Sequence, residues 1–423
     1  MTRPGIFVFS TAGLQGNFSP VKETIDDFER WASDVIFGRA RGFRAFLTRW
    51  ALRALSGLYR AIIQTRKFLF TSDFKERHHL GTLTISVGNL TVGGTGKTPV
   101  VELLSRTLRD RQRQVAILSR GYKSKALSEP QKWQSPHGRP AKPEKLPKIV
   151  STGRALLLDS KYAGDEPFML ANNLSGVSVL VDRDRVKSAR FAIRELGADT
   201  LILDDGMQYL RMARGLDLCL VDANTPFGTG AMLPAGTLRE PKHNLFRAHY
   251  IILTKSDGSD HEALKKKLRR YNPTAPIITT THGPKYLENL ATFERKPLDY
   301  LKGKHIAALS GIAVPENFEN SLVKLGAILD VKKRFSDHHR FSSREIEKFT
   351  HRCLERDVEM IVTTEKDAVR YPRNTLAEVP VWFLRIEVEI LAGHEHWQHM
   401  IDHICQPAAH GSPVLRQRLA FVG

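Results

Sequence analysis

Short, mostly apolar runs recur along this chain, each ending in polar or glycine-rich residues. Leu83–Val87, Val115–Leu118, Val177–Val181, Leu201–Leu203, Tyr250–Leu253, His305–Leu309 and Met360–Val362 are such runs. Continuous apolar runs of this length predict strands buried on both faces. Helical spacing appears between them, as in Val100, Val101, Leu103, Leu104 and Leu108. Strand and helix in alternation predict an α/β fold around a mainly parallel sheet. In such sheets ligands bind beyond the carboxyl ends of the strands.

Two stretches break the alternation. Between Arg39 and Lys67 the basic residues are Arg39, Arg41, Arg44, Arg49, Arg53, Arg60, Arg66 and Lys67, and no residue is acidic. On a helix, Phe43, Phe46, Leu47, Trp50, Ala54 and Leu58 fall on one face, with Arg49, Arg53 and Arg60 opposite. A basic amphipathic helix with Trp and Phe on its apolar side reads as an interfacial membrane helix. A surface helix packed on its own domain has the same pattern. Residues 124–148 hold Pro130, Pro136, Pro140, Pro143 and Pro147 among polar residues and read as a loop or insertion.

Composition narrows the partners. A chain of 423 residues has room for two or three domains. Its net charge of +19 suits nucleic acid, an anionic membrane or a polyanionic substrate. A nucleic-acid platform would interleave aromatic and basic residues on strands. Here the basic residues segregate on a helix, so nucleic acid is not expected. Cys219, Cys353 and Cys405 are far apart and form no metal or disulfide motif, which suits a reducing compartment. No secretory signal is evident, and no apolar run is long enough to span a bilayer.

The chemistry is densest after Val87. Gly88-Asn89-Leu90-Thr91-Val92-Gly93-Gly94-Thr95-Gly96-Lys97-Thr98 joins a predicted strand to a predicted helix. This is the layout of a phosphate-binding loop. Its backbone N–H groups crowd round a polyphosphate at a helix N-terminus. Lys97 can reach the outer phosphates, and the Thr98 hydroxyl can ligate Mg²⁺. The strict pattern has glycine where this chain has Thr91. Val92 replaces the signature lysine of dimeric partition-type ATPases, which argues against a site shared between subunits.

Other strand ends carry charge. Asp204-Asp205 follows Leu201–Leu203, where a nucleoside triphosphatase keeps its second metal-holding acid. Asp165, in Gly164-Asp165-Glu166-Pro167, is either a helix cap or a carboxylate aimed at a reacting hydroxyl. Arg185 and Arg239 sit where a planar guanidinium could clamp phosphate. In Asp337-His338-His339 the neighbouring side chains point apart, so one histidine paired with a carboxylate is expected rather than a metal triad. Thr254-Lys255-Ser256-Asp257 matches the guanine-reading motif of GTPases in four residues. A GTP-binding switch or metal-chaperone nucleoside triphosphatase is therefore the rival reading.

The ordered set of motifs resembles the tetraacyldisaccharide 4'-kinase family. The resemblance rests on Ser86–Pro99, Ser119-Arg120-Gly121-Tyr122, Gly164–Pro167, Asp204-Asp205-Gly206-Met207-Gln208, Phe227-Gly228-Thr229-Gly230, Leu233-Pro234-Ala235-Gly236, Leu238–Pro241, Asp337-His338-His339 and Thr364-Glu365-Lys366-Asp367-Ala368. It covers roughly residues 45 to 395. It implies transfer of the ATP γ-phosphate to the 4'-hydroxyl of an acylated glucosamine disaccharide 1-phosphate, with Mg²⁺. It further implies work at the cytoplasmic face of the inner membrane of a Gram-negative cell, and a monomer is expected.

Carried over by residue, Gly93, Gly94, Thr95, Gly96, Lys97, Thr98, Arg185 and Arg239 would hold ATP. Thr98, Asp204, Asp205 and Glu240 would lie at the metal. Asp165 would be the base, assisted by His338, with Lys97 in the catalytic set. Where the family usually has His, this chain has Tyr209. The implied fold has two α/β/α domains joined by a two-stranded ribbon. Expected divisions are an extension over 1–38, the basic helix over 39–75 and the kinase core over 76–213, to which 392–405 returns. The linker strands are expected at 214–222 and 380–390, and the second domain at 223–379.

Overall fold

A computed structural model describes residues 31–133, 135, 146–372 and 378–406. Most of the expected N-terminal extension and the middle of the proline-rich stretch lie outside these residues.

The strands are β1 (Leu83–Asn89), β2 (Val115–Ser119), β3 (Lys148–Thr152), β4 (Ser178–Val181), β5 (Thr200–Asp204), β6 (Leu216–Asp222) and β7 (Tyr250–Thr254). They continue with β8 (Ile277–Asn289), β9 (Arg295–Lys296), β10 (His305–Ser310), β11 (Ile328–Arg334), β12 (Met360–Thr364) and β13 (Val381–Ala392). All thirteen join one sheet in the order β11-β10-β12-β13-β8-β7-β6-β1-β5-β2-β4-β3, with β9 on the side of β8. Pairing is parallel except at β3–β4, β8–β13 and β8–β9.

Helices cover both faces of the core half. Val100, Val101, Leu104 and Leu108 of the helix Lys97–Asp110 pack on Ile85, Val87 and Ile202 from one side. Trp397, Met400, Ile401 and Ile404 of the last helix, His394–Cys405, bury in the same cluster. Val186, Ala189 and Phe191 of the helix Arg185–Leu196 cover the other face at Leu118, Leu180 and Leu203. Two further clusters sandwich β10 and β12, under the helices Pro315–Lys324 and Ser343–Leu354.

The ribbon differs from expectation. Leu216–Asp222, expected as a linker strand, is central strand β6, parallel to β1 and β7. All its residues are buried, as two helix-covered faces require. The antiparallel partner of β13 is β8, from Trp382 opposite Asn289 to Ala392 opposite Thr279. Their middle residues are only partly buried. The expected boundary at residue 223 also moves, because Tyr250 and Ile252 of β7 belong to the core cluster of Ile85 and Leu218.

A long helix, Phe43–Thr71, precedes the sheet. Only Ala45 and Phe70 are buried along it. Its apolar stripe faces outward: Phe43 is 75% exposed and Trp50 67% exposed, and Phe46, Leu47, Leu58 and Ile62 are exposed too. The helix docks by hydrogen bonds instead. Ser56 Oγ donates to the Met232 carbonyl at 2.9 Å, and Tyr59 Oη donates to the Arg239 carbonyl at 3.2 Å. Among the described residues no helix is long and apolar enough to cross a membrane.

Candidate active site

The loop after β1 turns on glycine. Gly96 has φ 77°, and a Cβ there would meet His282 Nε2 at 2.5 Å. Only glycine fits that close approach in the left-handed region. Thr91 needs no such freedom, because it forms an antiparallel bridge with Leu238. Thr254 Oγ1 and Lys255 Nζ support the loop from below, donating to the carbonyls of Thr95 at 2.8 Å and Gly94 at 2.5 Å.

Lys97 opens the helix and lies 3.6 Å from Asp205 Oδ1, while donating to Asn89 Oδ1 at 3.2 Å. Asp205 sits in the left-handed region at φ 53°, a strained backbone for a non-glycine residue. Burial pushes its carboxyl up, but Lys97 and Arg239 outweigh that and hold it below the usual carboxylate range. Asp204 is buried beside it, and its Oδ2 accepts from Ser119 Oγ at 3.0 Å. Burial, with Glu166 and Asp205 close by, pushes Asp204 up to about 6. A cation would relieve that crowding of negative charge.

Arg185 is buried, and its Nη1 donates to the Asp205 carbonyl at 3.3 Å. Tyr209 fixes the start of its helix. The phenol accepts from the Arg185 backbone N–H at 3.0 Å, and the Arg185 guanidinium lies over the ring at 5.0 Å.

The residues fit a nucleotide and its metal. Thr95 Oγ1 and Arg185 Nε are buried without a hydrogen-bond partner. Nothing lies within 4 Å of a Cβ built on Gly93 or Gly94. Unpaired donors round an open loop are what a polyphosphate would satisfy.

Glu240 is the further residue expected at the metal. It is buried, and both its oxygens already accept: Oε1 from Gln208 at 2.9 Å, Oε2 from Asn244 and Arg247 at 2.7 Å each. Its carboxylate organises three protein donors.

Asp165 and His338 are brought together across the seam between the core and the β10–β12 unit. His338 Nδ1 lies 3.2 Å from Asp165 Oδ2. Two arginines that sequence reading missed share this carboxylate. Arg370 Nε donates to Oδ2 at 2.9 Å and Arg340 Nη2 to Oδ1 at 3.0 Å. Lys366 Nζ lies 3.4 Å from His338 Nε2. Arg340 directly follows the Asp337-His338-His339 string and Arg370 stands two residues past Ala368, so proximity to those motifs was the only signal.

The tetraacyldisaccharide-1-P 4'-kinase (LpxK) family model matches residues 48–406. The chain belongs to this family. The tetraacyldisaccharide 4'-kinase of Halothermothrix orenii is 32% identical over 356 residues, covering 80% of this chain and 88% of its own. That of Anaeromyxobacter sp. (strain Fw109-5) is 37% identical over 349 residues, covering 82% and 89%. The crystal structure of LpxK from Aquifex aeolicus, in complex with ATP, matches with a TM-score of 0.66 at 30% identity, covering 85% of this chain and 100% of that one. The activity is accordingly that of a tetraacyldisaccharide 4'-kinase, an ATP-binding transferase of lipid A biosynthesis. Membership sets aside the switch and metal-chaperone reading of Thr254-Lys255-Ser256-Asp257.

Proposed function

We propose that ATP lies along the loop Gly93–Thr98 and that its γ-phosphate passes to a disaccharide hydroxyl held near Asp165. The pairing of a cation-lined phosphate loop with a carboxylate–histidine contact carries this reading. The acceptor oxygen bonds to the γ-phosphorus as the bond to the β,γ-bridging oxygen breaks and ADP leaves. The hydroxyl proton goes to the Asp165–His338 pair. Lys97, Arg185 and Arg239 offset the negative charge on the moving phosphoryl group. Thr98 and Asp204 are the residues best suited to hold Mg²⁺, which when bound neutralises phosphate charge. Asp205 aligns Lys97 and Arg239, and Glu240 acts one step further out.

The helix Phe43–Thr71 supports an interfacial role. Its polar side is used in docking and its apolar stripe is exposed, the reverse of a helix packed on its own core. An exposed apolar stripe on a helix rich in exposed arginines would, at an anionic leaflet, gather both membrane and substrate, which suits the cytoplasmic face of the inner membrane. We treat the chain as a monomer there.

The test uses radiolabelled ATP with disaccharide 1-phosphate in detergent micelles. Label should appear on the lipid in wild-type protein and be lost with Asp165→Ala. Labelled lipid at wild-type rate in that variant would overturn the assignment of the base.

A further inference from the structure

The docking side of the long helix is joined to the phosphate loop by an unbroken run of hydrogen bonds. Lys67 Nζ donates to Asn244 Oδ1 at 2.8 Å. Asn244 Nδ2 donates to Glu240 Oε2 at 2.7 Å. Gln208 Nε2 donates to Glu240 Oε1 at 2.9 Å and to the Asn89 carbonyl at 3.0 Å. Asn89 Oδ1 then accepts from Lys97 Nζ at 3.2 Å.

We propose that Lys67 and Asn244 are positioning residues for Lys97, so that the seating of the N-terminal helix sets the geometry of the phosphate loop. The proposal rests on Lys97 being the phosphate-binding lysine of the site proposed above.

Burial makes the run behave as a unit. Asn89 and Asn244 are fully buried and Glu240 nearly so. Moving one member leaves a buried polar group unpaired, so its neighbours must shift with it. Lys67 is also held from outside, its ammonium lying 4.5 Å from the Phe246 ring centroid. An anchor alone would not need this. The exposed stripe at Phe43, Phe46, Leu47 and Trp50 could bind a surface whether or not Lys67 touched Asn244. A second contact follows the same logic, since Tyr59 holds the carbonyl of Arg239, whose side chain grips Asp205.

The experiment measures kcat and both KM values for full-length protein with substrate in detergent micelles. Lys67→Met should lower kcat by roughly ten- to a hundredfold, the range that a small misplacement of a catalytic group costs. KM for the lipid should stay unchanged, and Lys67→Arg should restore most of kcat. Co-sedimentation of Lys67→Met with anionic phospholipid vesicles should match wild type. Adding Lys67→Met to Gln208→Leu should cost far less than the product of the two single losses. Wild-type kcat in Lys67→Met, with Lys97→Ala inactive, overturns the relay and leaves the site reading standing. Activity retained in Lys97→Ala would overturn the site reading itself. A kcat loss matched by an equal loss of folded protein in circular dichroism would also overturn the relay, since a structural role predicts that.

Discussion

Arg239 grips Asp205 with a single nitrogen, its Nη1 donating to Oδ2 at 2.7 Å and to Oδ1 at 2.9 Å. Lys97 approaches the same carboxylate from the loop. Asp205 thus holds two cations side by side next to the glycine-rich loop.

Lys97→Ala should reduce turnover at least about a hundredfold, the size of a lost electrostatic contact to a charged transition state. Asp205→Ala should cost less, because both cations remain but lose their alignment. Steady-state kinetics on folded variants checks the order. Lys97→Ala retaining near-normal turnover would remove the phosphate-loop role.

Asp165→Ala should cut kcat by about two to four orders of magnitude, with ATP affinity little changed. His338→Ala should cost less and shift the acidic limb of the pH–rate profile. If the two form one unit, the double variant loses much less than the product of the single losses. Multiplicative losses would mean that they act separately.

Asp204→Asn should trade activity for stability. The folded carboxyl titrates near 6, above its ordinary 3.8, so the folded state holds the proton more tightly than the unfolded chain. Ionisation therefore costs stability as pH rises through that window, fully above it. Asparagine cannot ionise. The variant should melt higher than the parent at about pH 7.5 and converge with it below about pH 4, while losing turnover. Thermal melts across pH decide it, and a parent that melts higher at neutral pH counts against the crowded carboxylate.

Phe43, Phe46 and Trp50 replaced together by Ser should move protein from vesicle pellet to supernatant. Each large apolar side chain contributes roughly 1.5–3 kcal/mol when buried. The shift should be larger in high salt, which screens the arginines. Unchanged pelleting at high salt would put the anchor elsewhere.

ATP should be used in preference to GTP. The Thr254 hydroxyl and Lys255 ammonium are spent on loop carbonyls, and Asp257 Oδ1 accepts from the Ser259 N–H at 3.0 Å. Turnover at matched nucleotide concentrations is the measure, with equal or faster use of GTP reversing the expectation.

What the chain determined by itself is local. Runs such as Leu201–Leu203 read as strands because a strand buried on both faces needs apolar residues at every position. The loop before Lys97 reads as a phosphate cradle because glycine, lysine and threonine must stand at fixed offsets on one turn. Asp165 and His338 could be singled out through their motifs. The hold of Asp165 on Arg340 and Arg370 could not, because those contacts form only when two distant segments fold against each other. The ribbon was missed for a related reason. β8 has a polar middle, from Thr279 to Lys285, so no apolar run marks it in the sequence, and its pairing with β13 is decided by layer packing, which buries β6 and leaves the middle of β8 partly open. Tertiary structure also decided the partners of Glu240. Resemblance alone put this carboxylate at the metal. Only the arrival of Gln208 from a distant loop fills Oε1, while Asn244 and Arg247, on the turn that follows in sequence, fill Oε2.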